Sequence, residues 1–230
     1  MKKSTLICLI SAITIVSAQA QVRVGLNFDT YKPVGGFGEN LDNSPAGISL
    51  TGLYTLRNER FTIGTDIGAA MYASRSYDYE LKGEDSNSQI IEIKEEDCFL
   101  HMDALVRYTF YQDNLIQAFA EAKTGFYTFF SDRWTDDKYP GFKDKTEFHG
   151  TSIITGIGGG ISLNLTNLFN KGTSSTNPIF LDFSTSYNSG TRASYRHITN
   201  EDRALNNLNE GNYSSVINSI NTRVGFSIQL

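Results

Sequence analysis

The chain is poor in the residues that staple small extracellular domains or break regular structure. Its 230 residues include 2 cysteines, 4 prolines, 1 tryptophan and 3 histidines. Cys8 falls inside an N-terminal apolar run, so Cys98 is the one cysteine in the rest of the chain. A single thiol excludes an internal disulfide and a metal–thiolate cluster there. Long apolar runs are scarce as well. Past residue 20, no stretch reaches the about 18 consecutive apolar residues that mark a membrane helix. Basic charge is in deficit, with 20 Lys and Arg against 25 Asp and Glu. That argues against nucleic acid as a partner, because phosphate binding needs a basic face.

The N-terminus reads Met1-Lys2-Lys3, then an apolar run from Thr5 to Val16, then Ser17-Ala18-Gln19-Ala20. A positive start, a short apolar core and an Ala-x-Ala site predict a signal peptide over residues 1–20, cleaved after Ala20. The run is too short for a membrane helix, which needs about 20 residues. Removal of Lys2 and Lys3 leaves 18 basic against 25 acidic residues, about −7, in one domain over residues 21–230.

Alternation with period two dominates that domain, and it predicts strands. Val22, Val24, Leu26 and Phe28 interleave with Arg23, Gly25, Asn27 and Asp29. Ile48 and Leu50 oppose Ser49 and Thr51; Ile63 and Ile67 oppose Gly64 and Asp66; Met102, Ala104 and Val106 oppose His101, Asp103 and Arg107. The pattern recurs over residues 116–127, 152–165 and 179–188, and in the last segment Val216, Ile220, Val224 and Phe226 face away from Ser219, Asn221, Arg223 and Ser227. Eight such segments are present. Short turns, Arg57 to Arg60 and Tyr111 to Asn114, follow the second and fourth. Long polar links follow the first, third, fifth and seventh, while the link from Thr166 to Pro178 is intermediate. Alternating short turns and long links predict an all-β, eight-stranded antiparallel up-and-down transmembrane β-barrel with long extracellular loops. Two links carry structure of their own. Tyr77, Tyr79, Leu81, Ile91 and Ile93 around Gly83 to Asn87 read as a hairpin reaching beyond the membrane, and Thr199 with Asp202 suggests a capped short helix over Glu201 to Leu208.

The polar parity carries charge of both signs: Arg23, Arg107, Lys123 and Arg223 against Asp66, Asp103, Glu121 and Asp182. Facing lipid at mid-membrane, an Arg or Lys costs about 2–4 kcal/mol. Facing inward, these groups can neutralise one another, and an eight-stranded barrel has room for side chains and little else. The expectation is an interior charge network that plugs the barrel. Gly156, Gly158 and Gly160 share one strand face and make room for large neighbours such as Phe119, Tyr127 or Phe129. They form no phosphate loop, since no Gly-Lys-Ser/Thr follows. His101 with Asp103, His149 with Ser152 and His197 with Ser194 are the candidate acid–base pairs for an enzyme. None forms a nucleophile–base motif; His101 reads as a satisfied interior histidine and His149 and His197 as loop residues, so no catalytic residue, cofactor or metal ligand is assigned. Asp78, Glu80, Glu84, Asp85, Glu92, Glu95, Glu96 and Asp97, with Asp132, Asp136, Asp137 and Asp144, predict a solvated acidic outer rim, bridged to lipopolysaccharide phosphates by divalent ions. Calcium-loop spacing is absent from it.

The C-terminal Arg223-Val224-Gly225-Phe226-Ser227-Ile228-Gln229-Leu230 resembles the assembly signal of outer-membrane barrels, with Arg223, Gly225, Ile228 and Leu230 at its defining positions and Leu in place of the commoner terminal Phe. The resemblance implies the barrel-assembly machinery as a partner. The chain as a whole resembles small outer-membrane barrels of the OmpA/OmpX type, most of all the PorT-like barrels common in Bacteroidota. It implies residence in the bacterial outer membrane, contact with outer-membrane lipid and lipopolysaccharide, and a non-enzymatic role in envelope structure, partner binding or a secretion or transport assembly. The alternatives are a narrow channel or transporter and, further off, a lipid-A-modifying enzyme.

Overall fold

The structure, a computed structural model, describes residues 21–41, 43–57, 59–82, 88–135, 144–169, 177–196 and 212–230. The leader over 1–20, the tip Gly83 to Asn87, the acidic residues Asp136 and Asp137, His197 and the helix expected at Glu201 to Leu208 lie outside the described residues.

The elements are β1 (Gln21–Val34), α1 (Gly36–Glu39), β2 (Ala46–Thr55), β3 (Phe61–Lys82), β4 (Ser88–Gln112), β5 (Ile116–Trp134), β6 (Lys145–Asn164), α2 (Leu165–Phe169), β7 (Ile179–Arg196) and β8 (Asn212–Gln229). Each strand pairs antiparallel with its neighbours in sequence, and β8 returns to β1 to close the barrel. The seam runs from Arg23 opposite Gln229 to Val34 opposite Asn218. Closure leaves no unpaired edge, which the bilayer requires because it offers backbone groups no hydrogen bonds.

Alternation sets the two faces. Ile48, Leu50 and Phe226 are 62%, 60% and 59% exposed, and Leu26, Ile67, Ile153 and Ile157 point outward with them. Arg23, Asp29, Asp66, Asp103, Arg107 and Arg223 are buried inside. A soluble ligand-carrying barrel would have the reverse polarity. This is a transmembrane β-barrel, apolar outside and polar within.

The two short turns close one end. Leu56 and Phe61 are bonded across the first (N–O 2.7 Å), and Glu59 takes the left-handed conformation there (φ 58°). In the second, Asp113 caps the backbone amides of Leu115 and Ile116, each at 2.7 Å. At this end α2 occupies part of the intermediate link, with Thr166 accepting from the amide of Ile179 (2.9 Å).

The opposite end differs from expectation. A membrane-crossing strand needs about 9–11 residues, yet β3 has 22 and β4 has 25. Most of the long third link is therefore strand, as the Tyr77–Ile93 pattern suggests, and β5, β6 and β7 also run on past the apolar belt. Above that belt most outward positions turn polar, as at Ser74, Ser76 and Asp78 on β3, Glu92, Lys94 and Glu96 on β4 and Asp132 on β5, with Ile90 an exposed apolar exception. The barrel wall thus continues beyond the membrane. Register shifts at Met71/Ala73, Phe129/Phe130 and Ser189/Arg192 mark the transition. The first long link also turns inward. Gly35 (φ 60°) redirects the chain into α1, which drops Phe37 and, beyond it, Leu41 into the barrel mouth.

Candidate functional site

The interior is the densest concentration of chemistry-bearing side chains among the described residues, and it is layered. The lowest layer lies within the membrane belt. All eight residues assigned from parity are buried inside it: Arg23, Asp66, Asp103, Arg107, Glu121, Lys123, Asp182 and Arg223. Arg23 pairs with Asp182, whose carboxylate also accepts from Ser162 and Ser227 at 2.5 Å each. The Arg23 guanidinium lies 3.9 Å from the Phe180 ring centre. Arg107 donates to Glu121 (2.5 Å) and lies 4.2 Å from the centre of the Phe119 ring. Arg223 spans two carboxylates, bonding Asp29 through Nε (2.9 Å) and Asp66 through Nη2. Such charge-assisted bonds meet the requirement that buried charges be paired.

Two corrections follow. Asp29 belongs to this layer, accepting from Arg223, Ser49 (2.6 Å) and Asn221 (3.2 Å). With it the layer holds five carboxylates against four cations, so the expected charge balance fails by one. His101 is also only half satisfied. Its Nε2 meets the Tyr31 hydroxyl at 3.2 Å, while its Nδ1 and both carboxylate oxygens of Asp103 have no hydrogen-bond partner.

The glycines carry a third. Gly160 gives room to Phe119, since a Cβ there would come within 2.8 Å of the ring. Gly156 instead accommodates Lys123 and Asn188, and at Gly158 the neighbour is the β7 backbone around Thr185 and Ser186. Tyr127 and Phe129 do not require them.

The middle layer is aromatic and sequence reasoning missed it as a unit. Tyr31, Phe37, Tyr72, Phe99, Tyr127, Phe129 and Tyr195 are buried together with Leu41, Ile154 and Ile217. Tyr31 packs edge-on against Phe99 (5.0 Å), Phe99 stacks on Tyr127 (5.0 Å), and Phe37 packs edge-on against Tyr195 (5.1 Å). The available signal was aromatic residues at the inward parity on the outer ends of several strands.

The upper layer lies above the belt. Glu95 is buried and receives Arg75 (2.9 Å), Arg133 (3.0 Å), Arg196 (3.4 Å) and the Tyr77 hydroxyl (3.3 Å). Burial pushes its carboxyl up, but Arg196, Arg75 and Arg133 outweigh that and hold it below the usual range. Asp97, also buried, pairs with Arg75 and accepts from Ser131; burial nevertheless dominates and raises it to about 6. Glu95 and Asp97 are therefore not part of a solvated rim. Asp78 and Glu92 do face solvent.

His149 lies on β6 rather than in a loop, and its partner is Ser131 (2.8 Å), not Ser152. Ser152 donates instead to the Thr191 carbonyl (2.8 Å). Because the Ser131 proton goes to Asp97, His149 Nε2 donates to the Ser131 oxygen. That polarity opposes a base drawing a proton from a nucleophile. Burial and Arg196 push the His149 imidazole down.

The assembly-signal residues divide by face. Arg223 points into the charge layer, Gly225 lies against the Asn27 side chain of β1, and Ile228 and Leu230 face outward. The Leu230 amide bonds the Val22 carbonyl at 2.8 Å.

No protein-family profile matches the sequence, and no curated protein matches it. Among solved structures the chain is similar to Neisserial surface protein A, at 13% identity over 92% of this chain and 99% of that one, with a TM-score of 0.53. It is more distantly similar to a major outer membrane protein from Thermus thermophilus (10% identity, 92% and 99% covered, TM-score 0.44) and to Ail, the attachment invasion locus protein of Yersinia pestis (10%, 92% and 97%, TM-score 0.43). At such identity the first similarity establishes the shared barrel fold.

Proposed function

We propose that this is a non-enzymatic protein of the bacterial outer membrane whose barrel is closed to conduction and whose extension above the membrane meets an envelope partner. The observation that carries the reading is the filled interior. Two charged layers enclose an aromatic one, and a solute would have to displace all three. Below the lower charges lies a vestibule of about 40 Å³, lined by residues such as Gln21, Thr55, Thr62 and Gln117. A narrow channel or transporter would need a continuous wetted path instead. An enzyme would need a nucleophile and base arranged for proton abstraction.

The same reading covers the ends of the chain. Export uses the leader over 1–20, cleaved after Ala20, and the barrel-assembly machinery reads Arg223, Gly225, Ile228 and Leu230. The alternating strands, leader and terminal motif together favour kinship with the PorT-like barrels. Envelope structure or a secretion assembly is then the setting, with lipopolysaccharide around the extension. The measurement is planar-bilayer conductance of the folded protein, alongside membrane fractionation. The expected result is no current above the bare bilayer and recovery with the outer membrane. Stable unitary currents would overturn the plugged barrel, and recovery in the soluble periplasm would overturn the location.

A further inference from the structure

We propose that Asp66, His101 and Asp103 form a binding site for one divalent transition-metal ion of the zinc class inside the barrel. The site is independent of the role of the outer extension, and the sequence alone assigns no metal ligand there. It stands on five observations about the same side chains.

The first is their placement. Asp66 and Asp103 are directly opposite on β3 and β4, and both point inward. Like charges facing each other across a strand pair repel. Arg223 and Thr51 engage Asp66, which leaves Asp103 to face it without a hydrogen bond. Lys123 is within electrostatic reach of Asp103 but makes no contact with it that closes this gap.

The second is the orphaned donor set. His101 Nδ1 and both Asp103 oxygens are buried and make no hydrogen bond. Buried polar atoms in that condition lose their solvation without replacement. Three of them converging on one space is the arrangement a cation satisfies.

The third is spacing. His101 Nδ1 lies 3.4 Å from Asp103 Oδ2 and 3.8 Å from Asp66 Oδ2, and ligand atoms of all three residues fall within 4.8 Å of one another. A charge-assisted hydrogen bond would draw such a pair to about 2.7–2.9 Å. Ligands held about 2.0–2.2 Å from a tetrahedral zinc ion stand roughly 3.4 Å apart. The observed gap fits an ion between the groups better than a proton between them.

The fourth is support around the ligands. His101 Nε2 sits 3.2 Å from the Tyr31 hydroxyl, so the ring can donate there while Nδ1 presents its lone pair to the ion. Metal-bound imidazoles are oriented this way. Gly68 and Gly125 clear the space. A Cβ at Gly68 would strike His101, and one at Gly125 would strike Asp103. The fifth is charge: the layer carries one more carboxylate than cations, which favours an added cation. One nitrogen and two carboxylates, with a coordination position left open, match the borderline preference of zinc and its neighbours rather than calcium's larger oxygen shell.

The test uses the whole barrel domain, refolded in detergent from denaturant stripped of metal, then titrated with Co²⁺ and Zn²⁺. Metal content is read after gel filtration, and Co²⁺ coordination by its visible ligand-field absorption. The expected result is one equivalent per chain. Asp103→Asn and His101→Gln should lower affinity at least 100-fold, while Tyr31→Phe, which leaves the ligands intact, should lower it about 10–100-fold. Asp103→Asn relieves the facing carboxylates, so its folding, read by heat-dependent gel mobility, should match wild type. Absence of bound metal in a folded wild-type barrel overturns the site. So does binding that Asp103→Asn and His101→Gln leave unchanged, which would put the metal on the exposed acids. A His101 ring found doubly protonated and metal-free in added Zn²⁺ assigns the missing charge to a proton and also overturns it.

Discussion

Replacing Glu95 with glutamine removes one charge and almost no volume from the upper layer, where three arginines converge on a buried carboxylate. Arg75 retains Asp97 and Arg196 retains Glu147, but Arg133 loses the carboxylate it donates to. Breaking a buried ion pair from one side costs about 3–5 kcal/mol, because the remaining charge stays desolvated. Arg133 is about a quarter exposed, so the lower end of that range applies here, about 3 kcal/mol. The sole tryptophan, Trp134, adjoins Arg133 on β5 and is an internal reporter of this region. Urea titration in lipid vesicles, followed by its fluorescence, should show the midpoint falling in Glu95→Gln. The pH dependence has a definite sign. The arginines hold the folded carboxyl below its unfolded value, so its stabilisation is complete above about pH 4.3 and disappears as pH falls through the lower folded value. The variant should lack that acid-limb loss. A midpoint equivalent to within about 0.5 kcal/mol of wild type would mean that the arginines are solvated. The outer wall would then not be a packed continuation of the barrel.

Phe129→Ala should cost about 3–5 kcal/mol, since Phe129 is fully buried against Phe37, Tyr72, Phe99 and Tyr195; urea midpoints in vesicles check it. Gly158→Ala places a Cβ 2.6 Å from Ser186 and should destabilise β6–β7 by about 1–3 kcal/mol, whereas Gly52→Ala, whose nearest contact is Thr65 Oγ1 at 3.8 Å, should be tolerated; heat-dependent gel mobility distinguishes them. Asp97 has the opposite linkage to Glu95. Its folded value of about 6 is raised, so its contribution is full below about pH 3.9 and is lost as pH rises through 6; Asp97→Asn should flatten the urea midpoint between pH 5 and 7.

Within the apolar belt the barrel was legible because one face of each strand is lipid-like and the other is not. Leu26 and Asn27, or Ile67 and Asp66, cannot exchange faces without exposing an amide or a charge to lipid. Above the belt that contrast disappears. Ser74 faces out and Arg75 in; Glu96 faces out and Glu95 in; polarity no longer encodes direction at these positions, and only the alternation at Tyr77, Ile91 and Ile93 farther out marks the hairpin. Phe37 and Leu41 were hidden for a related reason. They are isolated apolar residues in a polar link, without periodicity to mark their return to the mouth. Charge parity identified eight interior residues and put Asp29 on the same face of β1 as Arg23; that Asp29 completes the layer by pairing with Arg223 depends on the β1–β8 register. The imbalance, and the unpartnered state of Asp103 and His101, depend on cross-strand register, which no single segment contains.

The seam between β1 and β8 also governs how the barrel can be made. Arg223 meets Asp29 across 194 positions of sequence, and Arg23 meets Ser227 across 204. A sheet lacking only that closure would hold every other strand pair yet leave Asp29 and Arg223 without each other. Closing a loop of nearly the whole chain is entropically slow, but its cost grows only with the logarithm of length. The reward arrives at once, as the backbone ladder and the buried charges lock together. The last zippering step therefore acts as a latch. A nearly closed sheet is a poor resting state, and reopening the finished barrel at its own seam means separating desolvated charges together with the strands.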